Sequence, residues 1–259
     1  MTRGFRIGTA FAGSLLFLAA CGSSSGSPAP SASPAFPIPS GPVCYGQEPA
    51  AQRAVFPGTG GQPLVGFTVG TGSVGVVLAN QAGNDACSWV GYANELVQKG
   101  YRVMAFDFNG EGDSAPSDGS GGDDVAAAAK YLRSRPGVSD IVLIGASRGG
   151  TAVLVAATNL QPPPKAVVSL SAPAAYNRDD AGSVVAGLTM PTLFVAADDD
   201  ATFAADARSM SQKAPKDRAT LKIVPGGSHG QSLVVPALEG AEQALAAINA
   251  LLSAKAPAH

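Results

Sequence analysis

The chain has 259 residues, of which 46% are hydrophobic and 14% charged. That balance supplies a sizeable buried core for one large or two small domains and excludes disorder throughout. With a formal net charge of −2 and no basic stripe, nothing is available to meet a phosphate backbone, so no nucleic-acid partner is expected.

Taken in chain order, the first segment reads as an address rather than a structural element. Arg3 and Arg6 precede an apolar run from Ile7 to Ala20, too short for a comfortable membrane span but suited to the core of a signal peptide. The run ends in Leu18-Ala19-Ala20-Cys21-Gly22, which resembles the lipobox of bacterial lipoproteins. The resemblance implies cleavage before Cys21, acylation of its thiol, and an extracytoplasmic protein held to the cell membrane by a lipid anchor. Residues 21–42 then form a tether. From Ser23 to Pro42 it is almost pure Ser, Pro, Ala and Gly, and such a stretch cannot bury enough apolar surface to offset its ordering entropy.

Residues 43–259 are left as the folded domain. Cys44 opens it and Cys87 lies within it, and in an oxidising compartment an even pair predicts a disulfide. The alternative is two unrelated buried thiols.

Two segments, Arg53–Phe56 and Leu64–Val69, joined by the Gly-rich PGTGGQP, predict an antiparallel hairpin at a sheet edge. Short apolar runs follow at 74–79, 101–107, 141–145, 166–171, 192–197 and 221–224. Helical stretches separate them at Ser88–Lys99, Asp123–Ser134, Arg148–Asn159, Ala201–Lys213 and Pro236–Leu252. Brief apolar runs alternating with longer helical patterns predict β-α units around a mostly parallel sheet buried on both faces, and the fold class is α/β.

The pattern G-x-S-x-G occurs three times, around Ser24, Ser147 and Ser228. Ser24 lies in the tether, where no scaffold holds a base against it. Ser228 follows the run 221–224 in a loop with no helix expected at once after it. Ser147 stands where the strand IVLIG runs directly into a helical stretch, a sharp turn that lifts a hydroxyl above the carboxyl edge of the sheet. The helix that starts there also presents unpaired N–H groups to a developing negative charge.

A serine hydroxyl needs a base near neutral pH, and the chain has two histidines. His259 is the last residue, leaving His229 as the candidate base. Asp198-Asp199-Asp200 follows the run 192–197 at the same predicted edge. One of the three can fix the imidazole while another caps the next helix.

These residues, in the order Ser147, Asp, His229, resemble the α/β-hydrolase superfamily. Asp107-Phe108-Asn109-Gly110-Glu111-Gly112-Asp113-Ser114 matches its D-x-x-G-x-G-x-S segment. The resemblance implies an α/β-hydrolase fold with Ser147 as nucleophile and His229 as general base. Asp200 best fits the acid position, with Asp199 and then Asp198 as alternatives. It further implies an oxyanion hole formed by the backbone N–H groups of Arg148 and Ala82. Asn80-Gln81 stands where the family carries His-Gly, which opens the alternative that Gln81 places a side-chain amide at the site.

About 20 residues separate 166–171 from 192–197, leaving no room for a large lid. The expected chemistry is hydrolysis of a small-molecule or acyl-ester substrate without cofactor or metal. An amidase, peptidase or acyltransferase with the same triad, or an inactive surface binding protein of this fold, are the alternatives.

Overall fold

The computed structural model describes Cys44 and residues 51–258. The predicted signal segment 1–20, the tether 21–42 with Cys21, and His259 lie outside the described residues.

The strands are β1 (Gln52–Pro57), β2 (Pro63–Val69), β3 (Val74–Ala79), β4 (Arg102–Phe106), β5 (Asp140–Ala146), β6 (Ala166–Leu170), β7 (Ala175–Tyr176), β8 (Asp179–Asp180), β9 (Thr192–Ala197) and β10 (Ala219–Val224). The helices are α1 (Val90–Gln98), α2 (Gly121–Arg133), α3 (Arg148–Asn159), α4 (Ala181–Val184), α5 (Ala201–Lys213) and α6 (Ala241–Lys255). Eight strands form one sheet in the order β1-β2-β4-β3-β5-β6-β9-β10. The β1–β2 and β2–β4 pairs are antiparallel, and from β4 through β10 every pair is parallel.

Both faces of the sheet are covered, so successive strand residues enter two different cores. In β3, Val77 and Ala79 join the core under α2, α3 and α5, whereas Val74, Val76 and Leu78 join the core under α1 and α6. This alternation of direction explains why the strands read as continuous apolar runs rather than as alternating ones. Helix α2 is fixed at its start by a capping box, in which Ser120 Oγ accepts the Asp123 N–H while the Asp123 carboxylate accepts the Ser120 N–H.

The predicted edge hairpin is present, with β1 outermost. Cys44 and Cys87 form the predicted disulfide. Closing a loop between residues 43 apart in sequence is worth on the order of 4 kcal/mol in the chain-entropy model.

Two local expectations are corrected, and one segment carries elements that the sequence did not signal. The final helix begins at Ala241 rather than Pro236, because Val235 to Ala241 is spent on two consecutive turns and Gly240 takes φ +80. A short 3-10 turn, Gly230–Val234, starts directly after His229, where no helix was expected. The segment between β6 and β9 carries the β7–β8 hairpin and α4, elements too short to leave a periodic signal.

Candidate active site

The carboxyl ends of β3, β5, β9 and β10 carry the loops in which the predicted residues lie. Ser147 sits between β5 and α3 with φ +50 and ψ −120, a conformation that costs a non-glycine residue of order 1–3 kcal/mol. Its N–H donates to the Leu170 carbonyl at 2.7 Å, which ties the turn to the end of β6.

The flanking glycines are required by contact rather than by flexibility. A Cβ on Gly145 would lie 2.1 Å from the Gly149 carbonyl oxygen, and one on Gly149 would lie 2.2 Å from the Ala79 carbonyl oxygen. Strand, turn and helix meet too closely for any side chain there.

Asp200 occupies the N-cap position of α5, but its side chain does not cap the helix. It accepts a hydrogen bond from His229 Nδ1 at 2.8 Å instead. With Nδ1 donating to the carboxylate, the lone pair is left on Nε2, the tautomer a general base needs. Phe203 lies against the imidazole with ring centroids 4.3 Å apart and holds its plane. Neither Asp199 nor Asp198 hydrogen-bonds to the histidine among the described residues; Asp198 Oδ1 accepts the Asp199 N–H. The structure thus brings Asp200 and His229 into contact, while the Ser147 hydroxyl hydrogen-bonds to neither among the described residues.

The other serine pattern is set aside by its own bond. Ser228 Oγ donates to the Glu239 carbonyl at 2.7 Å, outside any strand-to-helix turn.

Several residues around the site carried no separate signal in the sequence. The Arg148 side chain pairs through both terminal nitrogens with the Glu111 carboxylate and lies over the Phe108 ring at 4.3 Å. The residue following Ser147 is thereby clamped to the loop after β4.

That loop is the D-x-x-G-x-G-x-S segment, and its terms are structural. Asp107 Oδ1 accepts the Ala86 N–H at 2.8 Å and its Oδ2 accepts the Asp113 N–H at 3.1 Å. Ser114 Oγ donates to the Asp107 carbonyl and accepts the Val65 N–H. Gly112 has φ +49 and no room for a Cβ against Asp107. Burial raises the pKa of Asp107 above the ordinary carboxylate value, and the two N–H donors oppose the rise.

Beside α3 opens a cavity of about 330 Å³ walled by Asn109, Glu111, Arg148, Ala152 and the hairpin residues Tyr176 and Asn177. Asp179 anchors that hairpin, accepting the Gly122 N–H at 3.1 Å on each of its oxygens. The side-chain oxygen of Gln81, the alternative contributor to the site, accepts the Gln231 N–H, and the Gln81 N–H donates to Gln231 Oε1. No group of three or more potential metal ligands occurs among the described residues.

Residues 76–188 match the family model described as alpha/beta hydrolase fold. In three dimensions the chain is similar to an esterase of Thermogutta terrifontis, at 19% identity over 79% of this chain and 99% of that one, with a TM-score of 0.64. It is similar to an esterase of Pyrococcus furiosus at 14% identity, over 79% and 91% of the two chains, with a TM-score of 0.66. An enol-lactonase of Burkholderia xenovorans matches at 14% identity, over 78% and 100%, with a TM-score of 0.63. None of the curated proteins matches the chain in sequence. The chain has the α/β-hydrolase fold, with its mostly parallel sheet and helices on both faces.

Proposed function

We propose that this protein is a serine hydrolase that cleaves carboxylic esters through Ser147, His229 and Asp200. The observation that carries the reading is the Asp200–His229 hydrogen bond, made at the same sheet edge as a serine held in a strained strand-to-helix turn.

In this reading Ser147 Oγ attacks the ester carbonyl while His229 Nε2 takes its proton. Negative charge develops on the carbonyl oxygen and is met by the N–H groups of Arg148 and Ala82. Asp200 stabilises the imidazolium, which then gives its proton to the departing alkoxide. Water repeats the sequence on the acyl-enzyme and frees the acid. The short segment between β6 and β9 leaves the site open to small esters. The esterase and lactonase structures to which the chain is similar support hydrolysis as the reaction class.

The same proposal places the enzyme outside the cytoplasm on a lipid anchor at Cys21. The signal-like segment and lipobox resemblance support this, as does the Cys44–Cys87 disulfide, which suits an oxidising compartment.

A fluorophosphonate probe tests the chemistry. The folded protein is expected to be labelled once, at Ser147, and Ser147→Ala to be unlabelled. A folded wild-type protein that resists the probe and turns over no ester overturns the reading.

A further inference from the structure

Amide side chains join the loop after β3 to the loop after β10, and no step above uses them. Gln81 Oε1 accepts the Gln231 N–H at 2.9 Å, and the Gln81 N–H donates in return to Gln231 Oε1 at 3.2 Å. That same Oε1 accepts from Asn84 Nδ2 at 2.9 Å, while Gln231 Nε2 donates to Ser88 Oγ at 2.7 Å. Asn80, wholly buried, donates from Nδ2 to the Asn84 carbonyl and closes the loop on itself.

The placement of this network is informative. In the sheet, β3 and β10 are separated by β5, β6 and β9, so no ladder hydrogen bond couples their ends. The loops reach each other only by passing across the carboxyl edge where Ser147 stands. Gly230 lies between His229 and Gln231 with φ +56. A Cβ there would be 2.4 Å from Gln81 Oε1 and 3.5 Å from the Ala146 side chain, one residue before Ser147. One loop carries Ala82 and the other carries His229.

We propose that Gln81 and Gln231 are positioning residues, a reciprocal amide latch that holds the Ala82 N–H and the His229 imidazole in register across Ser147. The proposal rests on the serine-hydrolase reading. It gives Asn80-Gln81 a physical role: the Gln81 side chain fixes the neighbouring loop, and its own N–H is occupied by Gln231, which leaves the Ala82 N–H to face the substrate. A displacement of about 1 Å in such a donor or base costs on the order of a hundredfold in rate.

The test uses the folded domain with its disulfide intact. Gln231→Ala and Gln81→Ala are each expected to lower kcat about 10- to 100-fold with KM within about threefold, because orientation rather than binding is lost. Each single variant removes one of the two reciprocal hydrogen bonds and leaves the other. The double variant should therefore lose at least as much as the worse single but less than the product of the two, since both bonds hold the same pair of loops. Gln81→Glu keeps an oxygen for the Gln231 N–H and should recover kcat to within about fivefold of wild type. Hydrogen exchange reads the link without activity: Gln231→Ala should raise exchange in residues 80–86.

Single variants with kcat within about twofold of wild type, losses that multiply in the double variant, or Gln81→Glu as impaired as Gln81→Ala would each overturn the latch. Unchanged exchange at 80–86 overturns it even where the wild type labels at Ser147. A wild-type protein that neither labels nor hydrolyses esters overturns the hydrolase reading and the latch's catalytic role together, and is recognised by exchange coupling that persists.

Discussion

Asp200 stands where a helix ordinarily receives its side-chain cap, yet the carboxylate turns away from α5 toward His229. The helix start is held by the main chain instead, the Ala204 N–H donating to the Asp200 carbonyl at 2.9 Å. The sequence offered three consecutive aspartates and a spacing argument for the third. Nothing in the residue types says which carboxylate faces the histidine, because adjacent residues in a turn point in directions set by backbone angles. The geometry separates them by a mutational contrast. Asp200→Asn puts an amide against Nδ1 and favours the wrong tautomer, so kcat on a small ester should fall by about 10³- to 10⁴-fold. Asp199→Asn should stay within about threefold of wild type, since Asp199 has no bond to the imidazole. Turnover measured on the two purified variants decides the assignment, and a reversed order would move the acid one residue back.

At the scale of elements, the strand–turn–helix unit of β5 and α3 was the most legible part of the chain. An apolar run, two glycines and a helical stretch in immediate succession leave little freedom in how the chain can turn. What the pattern did not show is why each glycine is needed. Gly149 faces the backbone of β3 rather than a movable side chain, so relief would require shifting the strand end that leads into Asn80 and Gln81. Gly149→Ala is therefore expected to lower stability by about 1–3 kcal/mol and to slow labelling of Ser147. Gly91 provides the comparison, because a Cβ there meets nothing within 4 Å and the residue lies in α1. Gly91→Ala should gain up to about 1 kcal/mol from helix propensity alone, with labelling unchanged. Urea unfolding of both variants distinguishes close approach from simple backbone freedom. The β7–β8 hairpin was not legible, since two-residue strands cannot display a period of two. It nonetheless supplies Tyr176 and Asn177 to the cavity beside Arg148.

For the whole molecule, the succession of strands and helices along the chain was legible in the alternating runs, but the sheet order, with β4 between β2 and β3, and the bonds that knit distant loops were not. Gln81 and Gln231 are 150 residues apart, and no local pattern encodes which loops a sheet will bring face to face. Buried charge is a molecule-wide property of the same kind, visible only once the chain is folded. Asp107, Asp124 and Asp179 each have a pKa raised above 3.8 chiefly by burial, against the pull of nearby donors. The unfolded chain releases these protons near the ordinary carboxylate value, whereas the folded chain keeps them to higher pH. Between the two values the native state binds more protons, so stability declines as pH rises through the raised pKa. The contribution is complete below the unfolded value and gone above the folded one. Asp124 isolates the effect: Oδ2 accepts from the Asn109 N–H at 2.9 Å and from Asn109 Nδ2 at 2.7 Å, while Oδ1 is buried without a partner. The amide of Asp124→Asn keeps an oxygen toward Asn109 and removes the charge. Urea midpoints of wild type and variant measured at about pH 4 and about pH 7 should shift relative to each other, the variant gaining on the wild type at the higher pH. A wild type that gains on the variant would mean that hydrogen bonds to the carboxylate outweigh its burial.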